Sequence, residues 1–155
     1  MKDQATRMSG EAAQRPRVYI SGPLTGSGNI LENVERAMHA ARTLIDAGCS
    51  PFCPHLSYHL DPAEELSHAT WMEIDLPWMY AAQAVLRLPG ESRGADIETA
   101  RAKDLKIPVF HSLADLIAHF AGRRADCADQ GLDGTFPPDK MIADGRKEPS
   151  GLITL

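Results

Sequence analysis

Short apolar runs alternate along the chain with longer stretches of helical periodicity. Arg17-Val18-Tyr19-Ile20-Ser21 reads as a strand that ends in a glycine-rich turn, Gly22-Pro23-Leu24-Thr25-Gly26-Ser27-Gly28. Asn29, with Glu32 three residues on, makes a capping-box pattern. Ile30, Val34, Ala37, Met38, Ala41, Leu44 and Ile45 then fall on one stripe of helical period, and Gly48 stops that helix. Ser50 to Cys53 is a second strand, cut off by Pro54. A loop rich in His, Tyr and Pro follows. Asp61 and Pro62 start a helix that runs toward Tyr80 and should bend or split at Pro77. Gln83 to Leu88 is a third strand, closed by Pro89-Gly90. An alanine-rich helix from about Ala95 to Lys106 leads to a fourth strand, Ile107 to Phe110, where Pro108 marks an edge. Ser112 caps a last helix carrying Leu113, Leu116, Ile117 and Phe120.

This alternation predicts an α/β fold: a single flavodoxin-like or Rossmann-like domain, with a mostly parallel sheet of four to five strands and helices on both faces. The expected division is a loose arm over 1–15, the domain over 16–121 and a polar tail over 122–155, rich in Gly, Pro and Asp. A length of 155 residues suits one domain. A net charge of −5 argues against a nucleic-acid polymer as partner, which would call for a basic face. No apolar run reaches the length of a membrane span, and no apolar segment follows Lys2 and Arg7 as in a secretory signal. Three cysteines, Cys49, Cys53 and Cys127, fit free thiols better than a disulfide framework. The expectation is a cytoplasmic protein without a membrane partner.

Ligands of open parallel sheets bind beyond the carboxyl ends of the strands. Two segments converge there. The turn after Ser21, with Gly22 and Pro23, places backbone N–H groups before a helix and favours an anion, though its glycine spacing matches neither a Walker loop nor a dinucleotide fingerprint. The segment Glu91 to Glu98 offers Ser92 as a cap, Arg93 as a charge, Gly94 for close approach and Glu98 near the helix N-terminus. That terminus stabilises an ionised carboxylate, the form a nucleophile needs. An equally physical reading is that Asp96 and Glu98 only complement the helix dipole. Cys49, Cys53, His55 and His59 lack the spacing of a zinc site, and no metal or other cofactor is expected. His55 and Tyr58 belong either to a pocket rim or to a solvated loop. Trp71, Met72, Trp78, Met79 and Tyr80 form an aromatic wall, a core face or a subunit interface. Arg101, Lys103 and Lys106 read as a solvated basic helix end.

Tyr19-Ile20-Ser21-Gly22-Pro23, the segment Trp71 to Trp78, and Ser92-x-Gly94-x-x-x-Glu98-x-x-x-Ala102, in that order, resemble the nucleoside 2-deoxyribosyltransferase family, which includes 2′-deoxynucleoside 5′-monophosphate N-glycosidases. The resemblance spans roughly Arg17 to Phe120. It implies a glycosyl-enzyme intermediate on Glu98, a general-acid role for Asp75 toward the departing base, and a hydrogen bond from Tyr19 that steadies the nucleophile. It further implies a nucleotide or nucleoside ligand contacted by Ser21, Gly22, Pro23, His55, Ser92, Arg93 and Gly94, and a homodimer or larger assembly of the chain. Ser92 stands where the monophosphate hydrolases carry a phosphate-binding serine, so the implied reaction is hydrolysis of a 5′-phosphorylated substrate. The sequence departs from the family pattern at Asp96, Ala100 and Ala82-Gln83, and its first turn lacks an arginine. Base exchange is the alternative, as is a nucleotide-binding module without catalysis, which Asp96 would favour.

Overall fold

A computed structural model describes residues 15–26, 28–60 and 66–129, with side chains up to residue 122. Four strands, β1 (Arg17–Ser21), β2 (Ser50–Phe52), β3 (Ala84–Arg87) and β4 (Val109–Phe110), form one parallel sheet in the order β2-β1-β3-β4. Helices α1 (Ile30–Asp46), α2 (His68–Tyr80), α3 (Arg93–Asp104) and α4 (Leu113–Asp129) connect or follow them. The expected α/β doubly wound domain is therefore the observed one, with four strands. β4 lies at an edge, where the missing N–H of Pro108 costs no central ladder bond.

The pleat decides which helix each strand residue meets, because side chains alternate between faces with period two. Val18, Ile20, Ala84 and Leu86 point to one face and pack with Ala37, Ala40 and Leu44 of α1 and Leu116 and Phe120 of α4. Tyr19 and Val85 point to the other, where Met79 of α2 and Ala102 of α3 cover them. By the same period Ser21 and Arg87 share the face of Tyr19. They are also direct partners across the β1–β3 ladder. Two polar side chains thus lie side by side beneath α3.

Several local expectations change. Residues 54–60, read as a loop, form a 3₁₀ helix. The start expected at Asp61 and Pro62 lies outside the described residues; α2 is capped by Ser67, whose hydroxyl accepts from Thr70 N at 3.1 Å. Pro77 does not split α2. A proline removes one rung of the ladder, and Met79 just beyond it is fully buried. α3 starts at Arg93 because Ser92 is its N-cap, accepting from Ala95 N at 3.2 Å. α4 runs past the apolar stripe to Asp129, so the first residues assigned to a polar tail are helical. The remaining tail and the arm up to residue 14 lie outside the described residues.

Candidate active site

A cleft of about 380 Å³ opens at the carboxyl ends of β1 and β3, within the size range of small-molecule sites. The first turn, the 3₁₀ helix, α2 and the N-terminus of α3 wall it. Gly26 lets the two glycine-containing segments meet: a Cβ there would sit 2.7 Å from the Glu91 carbonyl. Asn33, on the buried face of α1, donates from Nδ2 to Leu24 O at 2.9 Å and fixes the same turn.

Glu98 lies at the floor. On α3 the buried positions are Ala95, Glu98 and Ala102, one helical stripe facing the sheet. A glutamate in that stripe, between two alanines, interrupts an otherwise apolar face, a feature legible in the sequence. Tyr19 donates its phenol hydrogen to Glu98 Oε1 at 2.7 Å, and Ser21 donates its hydroxyl to Oε2 at 2.6 Å. Burial pushes the Glu98 carboxyl above its ordinary range, while the two hydroxyls, Arg87 and His68 act in the opposite sense. Tyr19 is driven far above the usual phenol range by burial and by the neighbouring Glu98 and Asp75 carboxyls, so it stays a donor.

Asp75 faces the cleft from α2 and is only 8 % exposed. Its Oδ1 is buried with no hydrogen-bond partner. Burial, aided by the charge of Glu98, pushes its carboxyl up to about 6. The cleft thus holds two carboxyls set apart by their surroundings.

Ser92, Arg93 and Gly94 also line the cleft, as do Gly22 and His55. The Ser92 oxygen accepts within its cap, which leaves its O–H free to donate. His55 is buried, and desolvation pushes its imidazole below the usual range; its Nε2 lies 3.2 Å from Pro23 O and its Nδ1 4.0 Å from Cys53 Sγ. It braces the first turn from below. Ser21 and Pro23, expected to touch ligand, are not in the cleft wall. The pleat turns Ser21 toward α3, and Pro23 is buried with its carbonyl on His55. Trp71 and Met72 line the cleft, Met79 is core, and Trp78 and Tyr80 are exposed, Trp78 stacking on Phe52 at 4.9 Å.

Sequence reasoning passed over His68 and Arg87. His68 lines the cleft and lies against α3, where a Cβ on Gly94 would come within 3.1 Å of its Nε2. Arg87 is buried, donating to Leu88 O, to Gly90 O at 2.9 Å and to Asp96 at 3.1 Å. Asp96 therefore turns outward, its side chain 71 % exposed and ion-paired to Arg87. Gln83, another departure, accepts from Arg17 N at 3.0 Å at the opposite end of the strands from the cleft. Among the described residues, no three His, Cys, Asp or Glu side chains are grouped to hold a metal. No helix among them is long and apolar enough to cross a membrane.

A solved structure of a 2-deoxyribosyltransferase from the psychrotolerant bacterium Bacillus psychrosaccharolyticus is similar at 21 % identity and a TM-score of 0.48, over 60 % of this chain and 69 % of that one. No curated protein matches the chain. Residues 16–112, which include both glycine-containing segments and all the cleft carboxyls described above, match the model of a domain of unknown function, DUF7768, and the chain belongs to that family.

Proposed function

We propose that the cleft hydrolyses the N-glycosidic bond of a nucleoside or deoxynucleoside 5′-monophosphate by double displacement. The observation that carries this reading is the pairing of a carboxylate held by two hydroxyls, Glu98, with a buried and unpartnered carboxyl, Asp75, in one cleft. The motif resemblance to nucleoside 2-deoxyribosyltransferases supports the same substrate class.

In the first step a Glu98 oxygen bonds to C1′ as the bond from C1′ to the base nitrogen breaks. The bond's electron pair leaves with the base, which takes the Asp75 proton. In the second, water adds at C1′ and gives a proton back to the Asp75 carboxylate, while the glycosyl ester breaks and its electron pair returns to Glu98. The Ser92 hydroxyl, the free N–H groups at the start of α3 and Arg93 receive the 5′-phosphate. Trp71, Met72 and Tyr58 offer apolar surface for the base. The outward turn of Asp96 toward Arg87 speaks against the module without catalysis, since its charge is not directed at Glu98.

Incubation with a panel of nucleosides and their 5′-monophosphates, followed by chromatography of free base, tests the reading. Base should appear from monophosphates, and a 2-fluoro-2-deoxy nucleotide should add the sugar phosphate to a peptide containing Glu98. Absence of base release from every member of the panel would refute it.

A further inference from the structure

Ser21 is 1 % exposed and does not line the cleft, yet its hydroxyl makes the shorter of the two contacts to Glu98. Its neighbour in the ladder, Arg87, brings positive charge to the same sheet face. A carboxylate anchored at one oxygen can still turn about its last torsion, which is broad and lacks sharp staggered wells. Donors on both oxygens, from side chains two residues apart on one rigid strand, remove that freedom.

We propose that Ser21 is a positioning residue of the reaction: its hydroxyl fixes the second oxygen of Glu98, so that the carboxylate meets C1′ in one orientation. The inference rests on the reading of Glu98 as nucleophile. It also assigns Ser21 a part in the second step. When water's oxygen bonds to C1′ and the ester bond breaks, the electron pair returns to a carboxylate already faced by two O–H donors, which need not reorganise. No proton moves from either donor. The charged and titratable groups facing Glu98 are Tyr19 from β1, Arg87 from β3, and His68 and Asp75 from α2. Ser21 adds a neutral donor whose effect does not depend on the ionisation of any of them.

The test uses the full chain and two readouts. The first is the titration of the Glu98 side-chain carboxyl by ¹³C NMR without ligand, assigned by its loss in Glu98→Gln. The second is the pH profile of base release. In Ser21→Ala the Glu98 titration should move up by about one pH unit, the acid limb of kcat/KM should follow it, and the plateau should fall about tenfold or more. Ser21→Thr, which keeps the hydroxyl, should restore both. Should Ser21→Ala not fold, Ser21→Cys carries the same titration with a weaker donor and a smaller expected shift. A Glu98 titration unchanged in the Ala or Cys variant would overturn the role of Ser21, even with Glu98→Gln inactive. If the wild-type chain releases no base, the hydrolytic reading and the positioning role fall together, while the titration still shows whether Ser21 holds Glu98.

Discussion

The two walls of the cleft treat their carboxyl groups in opposite ways. On the α3 wall, Glu98 has a hydroxyl on each oxygen, with a guanidinium on the same sheet face. On the α2 wall, Asp75 is equally buried, but one of its oxygens has no partner at all. Desolvation raises both carboxyls. What differs is the compensation. Hydrogen bonds to an anion are strong enough to oppose a burial penalty, whereas a buried oxygen without a partner leaves that penalty uncompensated. The same residue chemistry is thereby divided into a carboxyl held at both oxygens and one with an oxygen left unpaired.

The largest effect expected from breaking this contrast is at Glu98. Glu98→Gln keeps the shape but sets an NH2 group, which cannot accept, against one of the two hydroxyls and removes the proposed nucleophile, and base release should fall about a thousandfold or more with ligand binding retained. Glu98→Asp should fail nearly as badly, since the shorter arm withdraws the oxygen by about an ångström. Base release by Glu98→Gln at the wild-type rate would erase the distinction between the walls.

Asp75→Asn should cost about a hundredfold for substrates with a poor leaving base and much less for those with a good one. The kcat/KM profile of the wild-type chain should decline above a pH of about 6, where Asp75 loses its proton, and this limb should vanish in the variant. Stability gives an independent check. A folded-state carboxyl raised from 3.8 to about 6 binds a proton that the unfolded chain has already lost over that window. Stability therefore falls as pH rises from about 4 to about 6, by something on the order of 2–3 kcal/mol. Thermal melts of Asp75→Asn across that range should lack this decline.

Smaller effects sharpen the picture at the mouth. Ser92→Asp should weaken turnover of monophosphates about tenfold more than that of free nucleosides, because a carboxylate at the α3 N-terminus repels phosphate. Equal losses for the two substrate types would remove the phosphate assignment. Asp96→Ala is the mildest. Its carboxylate is largely exposed on Arg87, so stability should change by less than about 1 kcal/mol and base release by less than about threefold. A large rise in activity would mean that its charge does reach the nucleophile.

Much of the frame was legible in the residues themselves. Alternating apolar runs and helical stripes specify a parallel doubly wound sheet because burial must follow the geometric period of each element. Gly48, Ser92 and Ser112 punctuate helices for local steric and hydrogen-bonding reasons that need no tertiary context. Glu98 could be singled out through its motif and its place near a helix start. Less legible was α2. Its apolar residues lie all round, so periodicity does not say which face turns inward. The structure buries Asp75 and Met79 and leaves Ile74 and Trp78 exposed.

The sequence by itself determined the order of elements, the end of the sheet at which the two glycine-containing segments meet, and where Glu98 and Asp75 fall along the chain, because spacing and local chemistry encode these. Only the tertiary structure decided who serves them. That Ser21 turns to Glu98 and away from the cleft, that Arg87 draws Asp96 outward, and that His68 lies against Gly94 depends on strand register and on helices packing across the sheet. These contacts join residues far apart in the chain, and no local pattern records a distance that closes only when the sheet forms.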